Sequence, residues 1–348
     1  MKPSAISEIL KKGKVNSILL ANLSNENANF AYLSGLTEIG LSNAFLILSK
    51  NKKLLIVHKM EEKLAKKLSK VPIKIFKNKD ELKKILNNEL KVKRIGIDGS
   101  SLTLQDFGGL RKILKNKEFI DISKHILRLR AIKSKDELRK INNACKISSK
   151  VMKEIPKFVK VGDTEKEIAA EIEKRLKIYG GDNILAFPTI VASGKNSSYT
   201  HHITGGRKVK KGDILLLDFG CKYKGYCSDI TKTFVVGKPS EEQIKIYNQC
   251  LNHQKDLLKL IKSGTKLKKI DAERKKRKII HSIFHSLGLE VHDPLNKKDI
   301  EELKENMVIT VEPGIYTNEF GVRIEDDVVI TKKSYNKLTN VPDRLIII

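Results

Sequence analysis

The sequence predicts two domains of different class: an α/β domain over residues 1–125, followed by an α+β domain over residues 126–348. Three observations carry this. Short apolar runs alternate with polar amphipathic stretches up to about residue 125. Beyond that point, capped helices are followed by β-rich runs that read as hairpins. A chain of 348 residues is also long enough for two separate cores.

In the first domain the strand candidates are NSILLA, NAFLILS, KLLIVH, IKIF and RIGID, all rich in residues that favour strands. Between them, MEEKLAKKLSK and KDELKKILNNEL have the composition of solvent-facing helices. Strand–helix alternation of this kind builds an α/β sheet. The chain carries no glycine-rich phosphate loop, so nucleotide binding has little support.

The second domain opens on Ser134-Lys135-Asp136-Glu137, a capping box that starts a helix. Leu138, Ile141, Cys145, Met152 and Ile155 follow at helical spacing as its core face. Thr164 and Glu167 repeat the box, and Ile168, Ile172, Leu176 and Tyr179 lead to a Gly180-Gly181 stop. A third long helix is expected from near Ser240 to near Gly264. Two strand pairs remain. ILLLDFG and YCSDITKTFVV flank Lys222-Tyr223-Lys224-Gly225, which reads as a turn; MVITVEPGIY and GVRIEDDVVI flank Asn318-Glu319. The two helix-then-hairpin halves are consistent with an internal pseudo-repeat.

These hairpins carry the chemistry. Folding residues 219–228 about their centre makes Asp218 and Asp229 cross-strand neighbours, about 5 Å apart at Cβ. Glu312 and Glu325 lie equally far from Asn318-Glu319 and pair in the same way. Like charges facing one another destabilise a sheet unless something neutralises them. A single Asp at a strand end is commonly a turn residue, and a single Glu a solvated one; two mirrored acid pairs beside His285 are not so easily explained. Oxygen ligands with one imidazole suit a pair of divalent cations better than a lone zinc. Two such ions about 3.5–4 Å apart form a hydrolytic centre.

Composition narrows the rest. Hydrophobic residues make up 40% and charged residues 32%, which describes a globular chain with a polar surface. No segment approaches the roughly 20 apolar residues of a membrane span. MKPSAISEILKKGKV lacks the apolar core of a signal peptide, and the expected location is cytoplasmic. Cys145, Cys221, Cys227 and Cys250 form no CxxC pair, as in a protein of reduced thiols. The net charge of +28 is spread over the whole chain without a nucleic-acid-binding motif, so no specific nucleic-acid partner is expected.

ASGKNSSYTHH, GDILLLDFGCKYKGYCSDITKTF, HSLGLEVHDP, VEPGIY and GVRIEDD occur in the order of the pita-bread metallopeptidases. The chain resembles their Xaa-Pro branch, the prolidases and aminopeptidase P enzymes, over nearly its whole length. NANFAYLSGLTEIG and LRAIKSKDELRKINNAC resemble the creatinase-type leading domain and its junction. The resemblance implies a dinuclear enzyme that cleaves an amino-terminal residue from a following proline, with manganese or cobalt as its two cations per chain. It implies Asp218, Asp229, His285, Glu312 and Glu325 as ligands, Asp229 and Glu325 serving both ions. Glu312 would also move the proton, His292 would stabilise the oxyanion, His201 would line the substrate side, and Arg323 would orient the ligands from behind. The implied substrate is a peptide with proline second, and the implied assembly is a homodimer.

Other residues are placed from the sequence alone. His202 is read as a bystander beside His201, and His281 as a helix-surface histidine. Thr231 and Thr233 alternate along the strand beyond Asp229 towards the metal layer; Cys227 shares its face but is read as packing. The chain departs from the family at Phe284-His285-Ser286, where glycines usually flank the histidine, and in ERKKRKIIHSIF, which lacks a glycine turn. Lys232 stands for a frequent arginine, and Lys297 and Lys298 are the candidates to replace a missing carboxylate-gripping arginine. A noncatalytic pita-bread protein that binds peptides or protein partners is the alternative; such relatives generally lose metal ligands, and all five are present here.

Overall fold

A computed structural model describes residues 3–23, 27–38, 40–293, 295 and 300–348. The chain gathers into two compact units, Met1–Arg130 and Ala131–Ile348.

The first unit is built on a six-stranded sheet of β1 (Ser17–Asn22), β2 (Ala44–Leu48), β3 (Lys53–His58), β4 (Ile73–Phe76), β5 (Arg94–Ile97) and β6 (Glu118–Asp121), in the order β4-β3-β2-β1-β5-β6. β2 runs antiparallel to both β1 and β3, while β4 adds to β3, β5 to β1 and β6 to β5 in parallel. Helices α1 (Pro3–Gly13), α2 (Ala28–Ser34), α3 (Glu62–Leu68), α4 (Lys79–Glu89), α5 (Leu104–Ile113) and α6 (Ser123–Ala131) complete it. Residue 125 falls inside α6. Ile18 and Leu20 join one apolar cluster with Ile6 and Ile126, while Leu19 and Ala21 join another with Leu86 and Leu110. The alternation of a strand thus feeds two cores, one on each face of the sheet. The five expected strands all form. β6 escaped detection because EFID is short and none of its residues is fully buried.

In the second unit, α7 (Lys135–Phe158), α8 (Glu165–Ile178) and α9 (Glu241–Leu260) each begin with a complete capping box, on Ser134 and Glu137, Thr164 and Glu167, and Ser240 and Gln243. α9 stops at Leu260, four residues before the glycine expected to end it. α10 (Leu267–Lys276) follows, and the chain leaves it through Lys278 at φ +55, so a lysine takes the left-handed turn for which no glycine is present.

β7 (Ile190–Ser193), β8 (Ile214–Phe219), β11 (Ile230–Val235) and β17 (Ile346–Ile347) form a sheet in the order β17-β11-β8-β7, with β9 (Lys222–Tyr223) and β10 (Tyr226–Cys227) as a ribbon at the tip of the β8–β11 hairpin. β12 (Val308–Val311), β15 (Asp326–Ile330) and β16 (Tyr335–Lys337) form a second sheet, and β13 (Gly314–Tyr316) pairs with β14 (Gly321–Arg323). Leu215, Leu217 and Phe219 of β8 pack with Val151, Ile155 and Ile172 of the helices. Alternation then turns Asp218 to the other face, where β8 meets β14.

The two hairpins treat their acids differently. Glu312 and Glu325 face each other as expected: β12–β15 and β13–β14 share one register, with Val311 opposite Asp326 and Gly314 opposite Arg323. Asp218 and Asp229 do not. Asp218 sits opposite Thr231, leaving Asp229 a diagonal neighbour on the same face. The cause is the turn, whose centre is Lys224-Gly225, with φ of +52 and +81. Two positive φ angles define the tight hairpin loop that suits twisted strands, and glycine fits its second position. This places the turn one residue later than the midpoint of the acids, which shifts the pairing by two.

Candidate metal centre

The acids converge from separate elements. Asp218 lies in β8 and Asp229 just before β11; Glu312 sits between β12 and β13, and Glu325 between β14 and β15. His285 is laid beside β12 by its carbonyl, which accepts from Thr310 N at 3.0 Å. Its Nε2 stands 3.4 Å from Asp229 Oδ2 and 3.5 Å from Glu312 Oε1. Asp229, His285 and Glu325 each offer a ligand atom within 4.8 Å of the others. Asp218 and Glu312 border this trio without joining that tight group.

Hydrogen bonds fix the orientation of each group. His285 Nδ1 donates to the Ser286 carbonyl at 3.2 Å, which leaves Nε2 as the acceptor facing the acids. Arg323 is 4% exposed and donates through Nη2 to Asp218 Oδ2 at 2.6 Å. It also donates through Nε to Thr231 Oγ1 at 3.2 Å and through Nη1 to the Tyr316 hydroxyl at 2.7 Å. Thr231 passes its own proton to Glu325 Oε2 at 2.7 Å. Asp327 accepts from the Asp229 backbone N–H at 2.8 Å and from the Cys145 thiol at 3.2 Å. Thr310 Oγ1 lies 3.4 Å from Glu312 Oε1.

The electrostatics follow from this crowding. Burial, and then the charges of Glu325 and Asp218, hold the Asp229 carboxyl well above the usual range. Burial and Glu312 do the same to Glu325. Glu312 is pushed up to about 8, by burial first, with the Asp218 charge adding and Arg323 opposing. His285 is lowered to about 4, by burial and by His292, so the imidazole is neutral. Asp218 Oδ1, Asp229 Oδ1, Glu325 Oε1 and Asp327 Oδ1 are buried, and none hydrogen-bonds to a described residue. Carboxylate oxygens are rarely left so. Cations among them would satisfy the first three and offset the mutual repulsion, and a neutral imidazole with a free Nε2 is the form that ligates metal.

Residues 139–332 match metallopeptidase family M24, and residues 5–132 match the creatinase/prolidase N-terminal domain. The chain belongs to family M24. It is 35% identical to a Xaa-Pro dipeptidase of Pyrococcus horikoshii, over 99% of this chain and 98% of that protein. To a Xaa-Pro dipeptidase of Pyrococcus furiosus it is 36% identical, over 91% of this chain and 92% of the relative. Its fold superimposes on the X-Pro aminopeptidase of Thermotoga maritima with a TM-score of 0.89 at 32% identity, covering 98% of this chain and all of that one. As an M24 protein the chain is a peptidase whose family implies divalent metal ions, and the acid–histidine cluster supplies donors of the fitting kind.

Several residues of this M24 chain sit differently from their sequence reading. His281 lies outside any helix. Its Nδ1 is 3.9 Å from Glu312 Oε2, its Nε2 is 3.3 Å from the Tyr316 hydroxyl, and burial lowers it to about 4. α10 ends at Lys276 and the backbone turns at Lys278, so His281 lies on the segment that leads to the acids and not on a helix surface. Tyr316, Thr310, Cys145 and Asp327 were also missed as neighbours of the site, the last hidden among the acids of IEDD. Thr231 reaches the cluster, whereas Thr233 Oγ1 turns to the Arg323 carbonyl at 2.8 Å. His201 is exposed, near enough for its charge to oppose protonation of His281. His202 Nε2 holds the buried Glu165 at 2.8 Å, which itself caps Ser193 and Asn196. His292 is exposed, with its ring 4.2 Å from that of His285.

The glycine losses are absorbed locally. Neither Phe284 nor Ser286 has a positive φ, and the Phe284 side chain is buried with Ile279 and Ile283. Lys232 Nζ pairs with Asp326 Oδ2 at 2.8 Å, both buried. Cys227 is buried, with its thiol 3.6 Å from the Leu289 carbonyl. Lys297 and Lys298, read as carboxylate-gripping candidates, lie outside the described residues.

Proposed function

We propose that this chain hydrolyses the peptide bond between an amino-terminal residue and a following proline, with two divalent cations per chain. Asp218, Asp229, His285, Glu312 and Glu325 would hold them, and manganese or cobalt suits a donor set of mostly carboxylate oxygen. Bound there, such ions polarise a carbonyl and bring the pKa of water towards neutrality.

The remaining work falls to the chain. Cleavage adds water across the C–N bond: one proton leaves the attacking oxygen and one must reach the prolyl nitrogen, which departs as a secondary amine. Glu312 is suited to both transfers. With cations offsetting the neighbouring acids it is a carboxylate, which can take a proton from the attacking oxygen and return it to the leaving nitrogen. Thr310 and His285 flank Glu312 Oε1 and orient that oxygen. His292, exposed beside His285, donates to the oxygen on which charge develops. His201 lines the approach. Arg323 keeps Asp218 in place while sharing its other nitrogens with Thr231 and Tyr316.

The observation that carries this reading is the set of buried carboxylate oxygens without hydrogen bonds around a neutral His285 in an M24 chain. The proline requirement rests on the relatives named as Xaa-Pro peptidases. Four free, buried cysteines suit a reducing compartment, and we place the protein in the cytoplasm. Glu312→Gln tests the central role. Turnover of an Xaa-Pro dipeptide should fall about 10²–10⁴-fold with metal still bound; retained turnover would remove Glu312 from the proton path.

A further inference from the structure

Residues 285–293 form a loop with His285 at one end and His292 beside the other. The His285 end is fixed by a sheet, since Thr310 N donates to the His285 carbonyl and Leu287 N to the Val308 carbonyl, each at 3.0 Å. The His292 ring makes no hydrogen bond to a described residue. Cys227 N donates to the Gly288 carbonyl at 2.8 Å in the middle of the loop, and the residue that ties down the end next to His292 is Asp293.

Asp293 is buried, and its Oδ2 lies 3.3 Å from Lys133 Nζ; the two side chains are 2% and 1% exposed. The Asp293 N–H donates to the Ser286 carbonyl at 2.9 Å, and its Oδ1 lies 3.4 Å from Glu290 N. Gly288 wraps the carboxylate so closely that a Cβ there would stand 2.5 Å from Oδ2. Lys133 is anchored in turn, with its N–H donating to the Asn306 carbonyl at 2.9 Å and its Nζ 3.4 Å from Ser286 Oγ. The carboxylate therefore occupies the middle of the loop, and Lys133 is its buried counter-charge. Burying two charges recovers little net stability, so a pair like this is better explained by the geometry it enforces.

We infer that the Lys133–Asp293 pair is a latch that sets the position of the His292 ring beside His285, so that Asp293 is a positioning residue and Lys133 acts through it. The inference rests on the reading above in giving His292 a task on the substrate. Lys133 lies just before the first long helix of its unit, and its Nζ reaches Asp293 and Ser286 of the loop.

The test compares Asp293→Asn and Lys133→Met with the native protein, loaded with manganese, on an Xaa-Pro dipeptide. Turnover should fall about 10–100-fold, as for other residues that orient a catalytic group, with KM moving much less. In a His292→Ala background, Asp293→Asn should cost less than about twofold more, because the latch has nothing left to position. Histidine-ring NMR spectra of the metal-free protein give an independent readout. The His292 signal, assigned by its loss in His292→Ala, should shift or broaden in Asp293→Asn while His58 and His253 stay put. If a single variant does not fold, Lys133→Met/Asp293→Leu removes both charges together, and the same shift and loss are expected. Native turnover with an unmoved His292 signal in a folded variant overturns the latch, as do losses that multiply with His292→Ala. If the native protein cleaves no Xaa-Pro bond yet His292 responds to Asp293→Asn, the hydrolase reading fails and the latch stands.

Discussion

Stripping the metal should make the catalytic unit lose stability as pH rises from about 6.5 to about 8. Glu312 has an ordinary value of 4.5 and is raised to about 8; Asp327 is raised from 3.8 to about 8. A carboxyl raised on folding keeps its proton in the native state after the unfolded chain has lost it. The stability it contributes is present below the unfolded pKa and drains away as pH climbs towards the folded one. At about 1.36 kcal/mol per unit, the span from 6.5 to 8 is worth about 2 kcal/mol for Glu312 alone, and Asp327 adds in the same direction by less than as much again, because its charge is part of what raises Glu312. Asp229 and Glu325 are raised as well and add in the same direction. His281 and His285, lowered to about 4, are neutral in the native state while the unfolded imidazoles are still half protonated at 6.5, so each offsets only about 0.4 kcal/mol of the loss in this window. The assay is urea unfolding of chelator-treated protein at the two pH values, followed by circular dichroism. Running Glu312→Gln in parallel cancels the first unit's contribution, and that variant should lose about 2 kcal/mol less over the same span. Readded manganese should reverse the trend, since cations replace the protons. A metal-free stability that is flat or rises across this interval would refute the electrostatic account of the cluster.

Other substitutions probe the supports. Lys232→Met strips a buried partner from Asp326, but Lys337 Nζ at 3.0 Å and Thr339 Oγ1 at 2.6 Å remain; a loss of about 2–3 kcal/mol in thermal or urea unfolding is expected, below that of a fully orphaned charge. Gly225→Ala forces a Cβ into φ +81 at the turn that sets the Asp218–Thr231 register, and should cost about 1–2 kcal/mol by the same measurement. Ser134→Ala removes the cap of α7 and should cost about 1 kcal/mol with turnover unchanged.

Much of this arrangement was legible before any coordinates. The five apolar strands of the first unit and the capping boxes at Ser134 and Thr164 are local signals, and local signals read directly. The facing of Glu312 and Glu325 was also legible, because the whole hairpin obeys one register. The Asp218–Asp229 pairing was misjudged by two residues because symmetry of the acids was taken for symmetry of the turn, when backbone torsion at Lys224-Gly225 decides it. His281 was misplaced for a related reason: a positive φ at Lys278, which no glycine announced, carries it from the helix to Glu312. Asp327 and Cys145 form a contact across 182 residues, and no spacing in the chain reveals it.

The central claim is cation-dependent hydrolysis ahead of proline, and one measurement meets it directly. The protein is stripped of metal, reloaded with manganese or cobalt, and given an Xaa-Pro dipeptide and a longer Xaa-Pro peptide, with bound metal counted per chain. The account predicts cleavage at the Xaa-Pro bond only after reloading, with two ions per chain. Two bound ions without turnover of either peptide would contradict the assigned bond, and absence of both metal and turnover would contradict the catalytic reading itself.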